Sequence, residues 1–72
     1  VNVVLLKDKM KATGMTTTFI CNKSNILRQT LYNRFINPDL FTVVEVDSLK
    51  KTLRLSTDEV NEIFFANDVE SH

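Results

Sequence analysis

A chain of 72 residues and 8.3 kDa has room for one domain and one hydrophobic core, and 43% hydrophobic with 25% charged residues is a globular balance rather than a disordered one. Cys21 is the single cysteine and His72 the single histidine, which excludes an intrachain disulfide and a zinc set. The formal net charge is zero but unevenly distributed: Val1–Ile36 carries six Lys and Arg against one Asp, and Asn37–His72 three against eight Asp and Glu. That asymmetry predicts a basic face and an acidic remainder.

No run is long and apolar enough to span a bilayer, and Val1–Leu6 is too short for the hydrophobic region of a secretory signal. An intracellular protein without a membrane partner is therefore expected. One glycine and one proline leave no material for a phosphate-cradling loop, and no cofactor or metal is expected. The sequence offers no nucleophile with a base, so no enzyme is expected. Asp58, Glu59 and Glu62 read as a solvated helix face, and Cys21 as a small buried hydrophobe.

Along the chain, Val3, Leu6 and Met10 recur at helical spacing between charged residues, predicting a first helix over about Asn2–Ala12 that Gly14 terminates. Thr16 can cap a second helix to about Lys23, with Phe19, Ile20 and Cys21 inward and Thr17, Thr18, Asn22 and Lys23 in solvent. Ser24-Asn25 is a turn signal. A third helix covers Leu27–Ile36, with Leu27, Leu31 and Phe35 spaced by four toward the core, until Asn37-Pro38-Asp39 ends it. Thr42 with Glu45 forms a capping box before Val43–Leu53, whose stripe is Val43, Val46, Leu49 and Leu53, followed by Leu55. Ser56 with Glu59 repeats that start before Val60, Ile63 and Phe64. These signals predict an all-α bundle of five short helices over residues 1–66, followed by a polar, frayed tail at 67–72.

Two short helices joined around Ser24-Asn25-Ile26 are followed by Arg28, Gln29 and Asn33 on one exposed side. Arg can pair with the guanine edge and Gln or Asn with the adenine edge in the major groove, and Gln29 and Asn33 lie one turn apart. Gly14-Met15-Thr16, Ile20-Cys21, Asn25-Ile26 and Thr30-Leu31-Tyr32 resemble the helix-turn-helix of the lambda repressor and Cro-like family. The run Asn37–Thr42 and Leu53-Arg54-Leu55-Ser56 are similar to the loop and last helices of its short phage-encoded members.

The resemblance implies a lambda repressor-like fold and a sequence-specific transcriptional regulator in a bacterial host cytoplasm, binding a double-stranded DNA operator. It implies that the helix near 27–36 enters the major groove and that the Thr16–Thr17 helix start meets backbone phosphate. The DNA-binding residues expected from pattern and resemblance together are Thr16, Thr17, Leu27, Arg28, Gln29, Tyr32, Asn33 and Asn37.

The chain departs from the family at Cys21, where a small Ala is usual, at Ser24, where a core Leu is usual, and at Asn25, where Gly is usual. At Leu27 the family has a capping Ser or Thr. A leucine there cannot satisfy the free N–H groups that would help hold a phosphate. Together with the zero net charge and the acidic second half, Leu27 supports an alternative: an antirepressor or modulator that binds a partner repressor protein instead of DNA. Phe65 is surplus to the stripe of the last helix and with Val69 at i+4 would extend an apolar strip, so a homodimer contact is expected there.

Overall fold

The structure, a computed structural model, describes residues 1–65. It holds five helices and, among the described residues, no strand: α1 (Val3–Ala12), α2 (Thr17–Ser24), α3 (Arg28–Ile36), α4 (Val43–Leu53) and α5 (Thr57–Val60). A 3-10 turn, Pro38–Leu40, links α3 to α4, and α5 widens into a π-helical turn, Asn61–Phe65. Each helix start has a local chemical cause except one. Asn2 Oδ1 accepts from Leu5 N–H, Thr16 Oγ1 from Phe19 N–H, Thr42 Oγ1 from Glu45 N–H and Ser56 Oγ from Glu59 N–H, the last two as complete capping boxes. The cap of α3 is Leu27, which supplies no side-chain hydrogen bond.

The helix ends follow the same local logic. Asn25 takes the left-handed conformation (φ 60°) after α2 and Arg54 (φ 55°) after α4, each donating its N–H back into the last turn. Gly14 (φ 73°) makes the same kind of turn after α1, where its missing side chain removes the conformational cost. Ser24, expected in a turn, is the last residue of α2; it is buried, and its hydroxyl donates to the Ile20 carbonyl at 2.7 Å. That bond satisfies a hydroxyl that would otherwise be costly inside.

One core serves all five helices. Leu6, Ile20, Leu31, Leu49 and Ile63 are its fully buried members, drawn from α1, α2, α3, α4 and the π turn in that order. Each is worth roughly 1.5–3 kcal/mol when fully buried. Met10, Cys21, Ile26, Leu53, Leu55, Val60 and Phe64 complete the cluster, and Phe41 meets Phe64 edge to face at 5.4 Å between ring centroids. Residues ahead of and within α1 are pinned to the last described segment by the Asn2 N–H bond to the Ile63 carbonyl (2.6 Å) and by the Lys9–Glu59 ion pair (2.7 Å).

Three residues expected inside are outside. Phe19 is 49% exposed on the outer face of α2, where Lys23 lies over its ring. Val43 is 84% exposed; of that stripe only Leu49 and Leu53 are buried, with Val46 packed against the core. Leu27 is 77% exposed because its backbone is extended (φ −60°, ψ 141°), so the four-residue spacing to Leu31 does not put it on the helix face that Leu31 buries. Leu31 is fully buried, and Phe35 is half-buried against the core. The tail at 67–72 lies outside the described residues.

Candidate interaction surface around α3

At 100° per residue, α3 divides its side chains into three outer strips besides the inward Leu31. Thr30 and Arg34 turn toward α4; Tyr32 and Phe35 turn toward α1 and α2; Gln29, Asn33 and Ile36 fall on the outward strip between them. The ion pair of Arg34 with Glu45 (Nε to Oε1, 3.0 Å) fixes the first of these strips against the start of α4. Burial pushes the Glu45 carboxyl up, but the Arg34 guanidinium and the Thr42 N–H outweigh it and hold the group below its ordinary value. Arg34 is thus a structural clamp.

The outward strip carries the expected reading residues. Gln29 and Asn33 are exposed one turn apart. Asn33 Oδ1 already accepts from Arg34 Nη1 at 3.1 Å, which leaves the Asn33 amide N–H groups free and its oxygen engaged. Arg28 is exposed at the start of α3, its guanidinium 5.6 Å from the centre of the Tyr32 ring, so both residues sit together at the edge of this strip. The strip ends in Ile36, 78% exposed. Asn37 is exposed at the junction of α3 and the 3-10 turn.

The two flanks differ in chemistry. Toward α4, a groove of about 330 Å³ is lined by Leu27 and Val44 among the polar Asn25, Thr30, Thr42, Glu45 and Ser48. Val44 is 74% exposed, and Val43, Ile36 and Leu40 are further exposed aliphatics that do not line this groove. The one charged residue lining the groove is Glu45, already bound by Arg34. Toward α1, a cleft of about 230 Å³ is lined by Lys7, Lys11, Thr17 and Tyr32 above Met10 and Phe35. Thr17, expected in solvent, is half-buried on the wall of this cleft, while Thr16 spends its hydroxyl on capping α2. Lys7 and Lys11 are not among the residues expected from the sequence to form a site; their four-residue spacing on the outer side of α1 is the signal that points to them.

Elsewhere, Cys21 is buried, and desolvation pushes its thiol up, as for an inert core sulfur. Phe65 is half-exposed, its ring tilted against Phe64 at 6.5 Å, and Val69, its expected partner in a homodimer strip, lies outside the described residues. Among the described residues no cluster of three metal-ligating side chains occurs, and no helix is long and apolar enough to cross a membrane. Set against protein-family models, curated proteins and solved structures, the chain finds no match.

Proposed function

We propose that the chain is a non-enzymatic regulator of the helix-turn-helix type that acts by docking its α3 surface onto another regulator, an antirepressor or modulator in a genetic switch. The observation that carries this reading is Leu27. It is the one α-helix N-cap in the described residues with no side-chain hydrogen bond, it is 77% exposed, and it lines a groove with the similarly exposed Val44. An exposed leucine and valine lining one groove suit a protein contact and offer nothing to phosphate oxygens. Arg28, next to Leu27 in the chain and exposed, is a residue type that anchors such contacts.

The second reading, a sequence-specific operator binder, is favoured by the exposed Arg28, Gln29 and Asn33, which stand at the spacing a major-groove helix uses. One titration separates the two. Labelled chain is mixed with the repressor encoded beside it and with that repressor's operator duplex, together and apart. Docking predicts saturable binding to the repressor and its release from the duplex; binding to the duplex alone, with no effect on the repressor, overturns it in favour of the second reading.

A further inference from the structure

The cleft between α1, the start of α2 and α3 sets a cationic rim over an apolar floor. Met10 and Ile20, both buried, line it together with the half-buried Met15 and Phe35. Phe35 meets Tyr32 edge to face at 5.9 Å, and the two methionines are unbranched and polarizable, a lining that adapts to the shape of an aromatic ring. Lys7 and Lys11 stand one turn apart on α1, both exposed, and neither makes an ion pair among the described residues. The Lys7 ammonium lies 5.0 Å from the centre of the Phe35 ring, which ties one cation to the apolar lining, and no carboxylate lines the cleft. A bare anion would gain only the rim and a neutral hydrocarbon only the floor, whereas a small organic acid meets both. A dry cavity of about 150 Å³ takes a benzene ring, so this open cleft of about 230 Å³ has space for one ring and a short acid arm.

We infer that this cleft is a binding site for a small amphiphilic carboxylate, an aromatic ring on a short acid arm. The ring lies on Met10, Met15, Ile20 and Phe35, and the carboxylate sits at the rim between the ammonium groups of Lys7 and Lys11. The hydroxyl-bearing side chains of Thr17 and Tyr32 add donors on the opposite wall. Because Tyr32 and Phe35 belong to α3, the occupant touches the helix that follows Leu27 without entering the groove toward α4, which neither residue lines. The site stands whether α3 docks on a protein or reads an operator.

The test is a titration of the isotope-labelled full chain with phenylpropionate, followed through amide chemical shifts. Phenylpropanol, which keeps the ring and lacks the charge, and propionate, which keeps the charge and lacks the ring, are titrated beside it. Phenylpropionate is expected to give saturable shifts centred on Met10, Ile20 and Phe35, with a Kd in about the millimolar range that so few atoms allow. Phenylpropanol is expected to bind about fivefold more weakly, the worth of two exposed ion pairs, and propionate not measurably. Replacing both lysines (Lys7→Gln, Lys11→Gln) is expected to weaken phenylpropionate by about fivefold and to leave phenylpropanol within about twofold. Removing the same charge at Lys50 and Lys51 on α4, which do not line the cleft, is expected to change either affinity by less than about twofold, because distant exposed charges are screened. The ligand-free spectrum of each variant checks that the helices persist. Four results each overturn the site: no saturable shifts in wild type, equal affinity for acid and alcohol, propionate binding as tightly as phenylpropionate, or equal weakening in both double variants. Titration against the repressor reads the other flank separately, so failure of one leaves the other standing.

Discussion

The two flanks of α3 are built from one short helix, yet they present different surfaces. The α1 side sets two lysines at the rim of a largely apolar cleft, and the α4 side sets the exposed Leu27 and Val44 into a groove that is otherwise polar and whose one carboxylate is bound by Arg34. The difference originates in single positions. Four helices begin with a side chain that accepts a backbone N–H, and two of these are full capping boxes, whereas α3 begins with leucine. A capping side chain at that site is worth about 0.5–2 kcal/mol over an apolar one. The bundle forgoes that stabilisation on the flank where it exposes Leu27 and Val44. The proposed docking role would account for an apolar residue at this cap.

The largest expected effect comes from the inward side, which supports both flanks at once. Leu31 is fully buried, and Leu31→Ala should cost about 2–5 kcal/mol, comparable with the whole stability of a core this size. Thermal denaturation should then show a largely unfolded protein that has lost both activities; a stable variant that kept one flank's binding would show that the flanks do not share this support. Smaller is the effect of Val43→Ser with Val44→Ser, exposed substitutions that should leave stability within roughly 0.5 kcal/mol. Repressor binding should nevertheless fall about tenfold, or about 1.4 kcal/mol. Unchanged repressor affinity would reassign the α4 flank.

Gln29→Ala sharpens the contrast between protein docking and operator reading. An operator reader should lose about 1–3 kcal/mol of discrimination from one bidentate pairing, while docking centred on Leu27 should change by less than about 1 kcal/mol, as most interface truncations do. Calorimetry against repressor and against operator duplex measures both. The smallest effect lies away from α3. Lys9, with the Ser56 N–H, holds the Glu59 carboxyl at about 2, below its ordinary 4.5, and Glu59 in turn raises Lys9. Since the folded value lies below the unfolded one, this contribution is full above pH 4.5 and is lost as pH falls toward 2. The melting temperature of wild type should therefore fall more steeply across that window than that of Glu59→Gln, and parallel slopes would show that the pair does not clamp α1 to α5.

Much of the bundle could be read before its structure because its signals are local. Thr16, Thr42 with Glu45, and Ser56 with Glu59 each cap the helix that follows, and these are interactions within four residues. The stripes of α1 and α4 placed Leu6, Met10, Leu49 and Leu53 inside. What failed was whatever depended on where a helix meets its neighbours. Val43 and Phe19 match an apolar period, yet both are exposed, because the period gives spacing and not which face a neighbouring helix covers. Leu27 precedes its helix, so a count in steps of four carried it onto a face that an extended residue does not occupy. The π turn at Asn61–Phe65 left no trace in the spacing of Val60, Ile63 and Phe64, which suits an α-helix equally well. At the surface, Gln29 and Asn33 were apparent from residue type, whereas the Lys7–Lys11 cleft required α1 and α3 to be brought together in space.

Leu27 is the residue on which the proposed docking turns, and Leu27→Ser tests its role in two readouts of one variant. Serine restores the missing cap, so the melting temperature should rise; about 1 kcal/mol of capping corresponds to roughly 4–8 °C in a domain of this size. Affinity for the partner repressor should fall at least about tenfold in the same protein, about 1.4 kcal/mol. A variant that gains stability and keeps its repressor affinity would contradict the claim that leucine is held at this cap for docking.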